Sequence, residues 1–183
     1  ISNRGDMINK LTDIDGCIGS WRADVGVTSF CGAVTNWADQ SGFSNDLAPK
    51  LNNSHIIEPS GSVHFNGHQS IEFISSNYGD LLRKTNCNGY EDITGFSFVV
   101  IHKAATNSSV VFSRHGLKAC KRLLSFPAYE GGMARLSIIM SGSVASVHSI
   151  EIAEAAVYSR KLTTAEKTRI KEYAETRYGI PKV

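Results

Sequence analysis

The stretch WADQSGFSNDLAP, Trp37 to Pro49, gathers a tryptophan, two aspartates and several turn-forming residues. Such a set has two chemical readings. In the first, Asp39, Asn45 and Asp46 offer oxygens to a cation while Trp37 offers a flat face to a sugar. Calcium wants about six to eight oxygens, and the segment lacks the dense D-x-D-x-D run that supplies them. Ca2+ is therefore the minority reading, and no metal is expected. In the second reading the stretch is a buried anchor followed by a corner. Asp and Ser side chains bond their own backbone in tight turns, and Gly42 accepts positive φ. Asn45 and Asp46 repeat that chemistry. Trp37, near a strand end, is expected to plug the core. On a regular strand Thr35, Trp37 and Asp39 would share one face, as would Trp21 and Ala23.

Other residue sets can be weighed the same way. A retaining glycosidase needs two carboxyl groups about 5–5.5 Å apart. Glu151 and Glu154 are offset by three, so a regular strand sends them to opposite faces. His64 and His68 flank Asn66-Gly67 and lack the further ligand a metal would need. Ser, His and Asp are present without a G-x-S-x-G elbow. No catalytic residues are therefore expected. Sugar recognition asks for exposed aromatics beside amides, acids or arginines. The loops carrying Tyr78 with Asp80, Tyr90 with Asp92, and Tyr129 with Glu130 offer those types, and each is equally a soluble loop with a half-buried tyrosine.

The elements that would position these residues are mostly short. Extended runs broken by Gly, Asn, Ser and Pro predict strands near 17–24, 33–38, 62–66, 69–74, 95–102, 109–114, 122–127, 134–140, 143–149 and 151–158. Asn66-Gly67 reads as a two-residue type I′ hairpin turn between the third and fourth of these. Met7, Ile8 and Leu11 suggest a turn or two of helix. At the other end, Thr163 and Glu166 form a capping box, and Ile170, Tyr173, Ala174 and Tyr178 line one helical face. Gly179 and Pro181 terminate that helix.

The 183 residues fit one domain with a sizeable core, and the 42% hydrophobic and 20% charged fractions are ordinary for a globular chain. A net charge of +2 with scattered basic residues argues against nucleic acid as a partner. No apolar run approaches a membrane span, and ISNRGDMINK has no signal-peptide core. Cys17, Cys31, Cys87 and Cys120 are too dispersed for a zinc site and are expected as free, mostly buried thiols.

Two separated pieces carry a family likeness. GSWRADVGVTSFCGAVTNWADQSGFSNDLAP followed by VHFNGHQSIEF resembles the opening of laminin-G-like, concanavalin-A-like jelly-roll domains of phage virion and bacterial surface proteins. IEIAEAAVYSRKLTTAEKTRIKEYAETRYGI resembles the ending of the same family. The run from Lys103 to Ser149 departs from the pattern, lacking its Trp-containing strand and N-G hairpin. The likeness implies a two-sheet antiparallel jelly-roll sandwich with a C-terminal helix. It makes Trp21, Trp37, Asp39, Gly42, Asn45, Asp46 and Glu154 structural, with Glu154 tied to a backbone group or a basic neighbour.

The expected organisation is a single domain over 1–183: a lead-in at 1–16, the sandwich at 17–160 and the helix at 163–178. The expected function is non-catalytic recognition or adhesion, binding cell-surface carbohydrate from a virion or an extracellular surface. The ligand candidates are Tyr78, Asp80, Tyr90, Tyr129 and Glu130. A structural virion subunit working through protein contacts, including copies of itself, is the alternative, and glycoside hydrolysis the third.

Overall fold

The computed structural model describes residues 7–49, 57–61, 63–73, 82–83, 89, 97–104, 135–139 and 150–181. Among the described residues the architecture is antiparallel β with one α-helix, which follows the last strand. In chain order the first strands are β1 (Cys17–Arg22), β2 (Val27–Phe30), β3 (Ala33–Trp37), β4 (Ala48–Pro49) and β5 (Ile57–Gly61). They are followed by β6 (Gln69–Phe73), β7 (Leu82–Arg83), β8 (Ser97–Ala104), β9 (Arg135–Ile139) and β10 (Ile150–Tyr158). The helix α1 spans Thr164–Tyr178. The expected strands at 109–114, 122–127 and 143–149 lie outside the described residues. None of the described helices is long and apolar enough to cross a membrane.

One eight-stranded sheet runs β2-β3-β5-β6-β10-β8-β9, with β1 also on β10, and β4 pairs β7 in a separate ribbon. β10 is the hub. β8 follows one of its edges along nearly its whole length, while β6 and β1 take successive halves of the other.

The sequence IEIAEAAVY explains how β10 serves two cores. Ile152, Ala155 and Val157 face a cluster holding Trp21, Ala23, Val34, Trp37, Ile71 and Val100. Ala153, Ala156 and Tyr158 face the other, with Ile8, Leu11, Phe65, Val99 and Ile101 beneath α1. Between Ile152 and Glu154 the register against β8 slips. This bulge puts two consecutive residues, Ala153 and Glu154, on the helix side. It also shifts the alternation, so Glu151 and Glu154 fall on the same side of the sheet. The opposite-face expectation assumed an unbroken strand, and the bulge removes that assumption.

A second irregularity lies in β3. Ser29 pairs with Val34 and Thr28 with Asn36, leaving Thr35 as the extra residue. Val34 and Trp37 are therefore both buried while Thr35 is exposed, contrary to the face shared by Thr35 and Trp37 in a regular strand.

The region before β6 also differs from expectation. Asn66 and Gly67 have φ of 54° and 79°, the left-handed pair of a type I′ turn, and His68 N–H closes it onto the Phe65 carbonyl at 3.0 Å. Yet residues 63–65 form a 3₁₀ turn rather than a strand, and β6 pairs instead with β5. Packing overrides alternation here, because Phe65 is fully buried and meets the Tyr178 ring edge-on. The lead-in is similarly compact. Ile8, Leu11 and Ile14 are buried about a 3₁₀ turn at Leu11–Asp13, while Met7 is exposed. Cys17 is half-buried, but Cys31 is exposed, so burial of the thiols does not extend to the β2–β3 turn.

α1 follows from its sequence at both ends. Thr163 accepts from Glu166 N–H, Glu166 returns the bond to Thr163, and Arg160 grips the same carboxylate at 2.6 Å and 2.9 Å. Gly179 takes φ 67° at the C-terminal end, where L side chains are strained. Thr163→Ala should lower the unfolding free energy by about 1 kcal/mol, measured as a shift in the urea midpoint at constant slope.

Candidate functional site

The corner after β3 is a closed hydrogen-bond knot. Trp37 is 2% exposed, and its indole N–H donates to the Arg22 carbonyl at 2.8 Å. Its backbone exchanges bonds with Leu47 at 2.8 Å and 2.9 Å, closing the loop between them. Within that loop Asp39 accepts four bonds. Ser20 N–H and Ser41 N–H reach Oδ1, each at 2.8 Å; Ser41 Oγ and Asn45 N–H reach Oδ2 at 2.7 Å and 3.0 Å. Asp46 Oδ1 accepts from Asp39 N–H at 2.9 Å. Asn45 is buried, donating to the Ile18 carbonyl and accepting from the Trp21 indole. Gly42 supplies a φ of 89° where the chain reverses.

This corner staples the end of β3 to β1. A cation arriving at Asp39 would meet N–H and O–H donors already occupying both oxygens. The described donor set therefore does not fit calcium. No group of three or more acids, histidines or cysteines suited to a metal occurs among the described residues.

The second constellation lies between β10 and α1. Glu154 has no exposed surface, and Tyr173 and Tyr178 both donate their hydroxyls to its Oε2 at 2.7 Å. Oε1 has no hydrogen-bond partner among the described residues. Burial raises the Glu154 carboxyl to about 7, against the opposing pull of the two phenols and of Arg22 and Arg177. Its partners are thus two phenols, which corrects the expected backbone or basic neighbour.

Nearby, Arg22 grips Asp24 with two bonds of 3.0 Å, and Arg177 donates to Asp24 Oδ2. Burial pushes the Asp24 carboxyl upward, but the two arginines outweigh it and hold the group below its usual range. His68 packs its ring against Tyr178 at 5.3 Å. Burial, followed by the Arg177 charge, lowers its pKa.

Chemically, the constellation positions rather than reacts. A fully enclosed carboxyl cannot touch a substrate atom, and Glu151 is engaged by Ser70 at 2.9 Å and Lys103 at 3.1 Å. Burial also pushes the Cys17 thiol up to about 12, so it is a poor nucleophile at neutral pH.

Trp21, Trp37, Asp39, Gly42, Asn45 and Asp46 come together at the corner, while Glu154 sits under the helix. Tyr78, Asp80, Tyr90, Tyr129 and Glu130 lie outside the described residues. Gly89, immediately before Tyr90, is described. A Cβ built there would come within 2.9 Å of the Phe43 ring and 3.3 Å of Ile18. That residue therefore lies against the Asp39 corner.

The sequence reading missed the Arg22–Asp24–Arg177 group and the phenolic partners of Glu154. A signal for the latter was present: a glutamate enclosed by small and apolar residues in IAEAAV is a candidate for burial, and buried tyrosine hydroxyls seek acceptors.

No protein-family model matches the chain, and no curated protein matches it. Among solved structures, the chain is similar to Trypanosoma rangeli sialidase in complex with sialic acid, with 10% identity and a TM-score of 0.41. The match covers 92% of this chain and 34% of that one, so the chain spans about a third of the matched protein's length. Similarity at that level assigns neither activity nor ligand.

Proposed function

We propose that the chain is a non-catalytic recognition or adhesion module, one jelly-roll domain of the laminin-G-like kind, carried by a phage virion or a bacterial surface. It takes cell-surface carbohydrate at its loops and works without a bound metal. The observation that carries this reading is the inward use of the motif side chains. Asp39 is filled by four internal donors, Asn45 and both tryptophans are buried, and Glu154 is sealed beneath α1. These groups build a scaffold and leave contact with a ligand to the loops, the usual division of labour in β folds. Pairing of β1 with β10, and the shared core of lead-in and helix, support a single unit.

The test is a glycan array probed with the full chain. A sugar-specific signal that disappears in Tyr78→Ala or Tyr129→Ala, with the fold intact by circular dichroism, supports the reading. Polysaccharide turnover abolished by one acidic substitution would replace it with hydrolysis.

A second reading, a structural subunit acting through protein contacts, is favoured by Phe30, which is 73% exposed on β2. An aromatic so exposed suits a protein interface. A stable oligomer in sedimentation that Phe30→Ser dissociates, together with silence on the array, would favour this alternative.

A further inference from the structure

Glu154 is enclosed with an incomplete set of partners. Both donors to it come from α1 and converge on a single oxygen. The nearby cations do not bond it, since Arg22 and Arg177 both bond Asp24 instead. Opposite Glu154, β1 places Arg22 as its direct cross-strand neighbour.

The remaining described groups around it are named element by element. α1 contributes Tyr173, Arg177 and Tyr178; β1 contributes Arg22 and the uncharged Cys17 thiol; the turn after β1 contributes Asp24. Tyr158 of β10 donates to the Leu11 carbonyl, and His68 lies beyond Tyr178. Among the described residues a charge on Glu154 is thus buried without a direct ion pair, a costly arrangement that the neutral acid avoids.

We propose that Glu154, Tyr173 and Tyr178 form a proton-operated latch on the C-terminal helix: α1 docks firmly on the sheet while Glu154 is neutral, and its hold weakens when Glu154 ionises. The apolar contacts of Ile170, Ala174 and Leu162 keep the helix nearby, so the response is local opening rather than global unfolding. The direction in pH follows from the titration. Glu154 has an ordinary value of 4.5 and a folded value of about 7. Stabilisation held by the neutral acid is complete below the ordinary value and is lost as pH rises through the folded one.

Amide hydrogen exchange on the full chain tests the latch, with rates corrected for intrinsic pH dependence. Between pH 5 and pH 8, protection of α1 amides should fall by roughly tenfold or more relative to β8 and β10. Glu154→Gln should flatten that dependence, and His68→Asn should leave it in place. Tyr178→Phe removes a donor that favours the ionised form, so the midpoint should move to higher pH. The Tyr178→Phe midpoint decides the matter if Glu154→Gln fails to fold. Protection that is constant with pH, that falls equally in the sheet, or that stays pH-dependent in Glu154→Gln would overturn the latch. So would an unmoved midpoint in Tyr178→Phe.

Discussion

Trp37→Ala is expected to lower the unfolding free energy by about 3–5 kcal/mol. A domain is stable by only about 5–15 kcal/mol, so this one change brings the protein near its limit. Two losses add together. The indole fills the cluster shared by β1, β3, β6, β8 and β10, and removing it leaves a void that close-packed neighbours fill only partly. Its N–H also satisfies the Arg22 carbonyl at 2.8 Å. Trp37→Phe keeps most of the volume and loses that bond with a smaller share of the packing, so its cost should be about 1–3 kcal/mol. Urea unfolding followed by circular dichroism measures both variants. A cost below about 1 kcal/mol for the alanine would show that Trp37 does not hold this core.

The second large effect belongs to Asp39. Asp39→Ala orphans the N–H groups of Ser20, Ser41 and Asn45 together. At roughly 1 kcal/mol for each part-buried donor, the expected loss is about 3 kcal/mol. Asp39→Asn discriminates between mechanisms. Each oxygen of Asp39 receives two donors, so an amide NH2 at either place would face N–H or O–H groups. The asparagine variant should therefore destabilise by a comparable amount despite its matching shape. Millimolar calcium should leave the wild-type urea midpoint unchanged, whereas a true calcium site would raise it through linkage. A calcium-dependent rise would return this corner to the cation reading.

The sequence made some features legible because their causes are local. Capping at Thr163 and Glu166, the buried stripe of α1, the left-handed Gly179 and the positive φ values of Asn66 and Gly67 each depend on only a few adjacent residues. The knot at Asp39 was legible as turn chemistry for the same reason, although its bond from Ser20 was not. Features set by distant partners were hidden. The bulges at Thr35 and Ala153 reverse the alternation on which face assignments rest, and neither residue type announces one. The β-prone run around Phe65 predicts a strand, yet its ring is captured by α1 more than a hundred residues later. Arg22, Asp24 and Arg177 lie near opposite ends of the chain and meet only after folding.

The pairing of β1 with β10 has a kinetic corollary. The Tyr158 hydroxyl reaches a carbonyl 147 residues upstream, and the whole inner length of β1 depends on that late partner. During synthesis β1 must wait until its partner residues, more than 130 positions downstream, have left the ribosome. Until then the apolar sides of Ile18 and Trp21 lack the surface they finally cover. Such high contact order predicts slow closure of the barrier-limiting loop and a nascent chain that benefits from chaperone shielding.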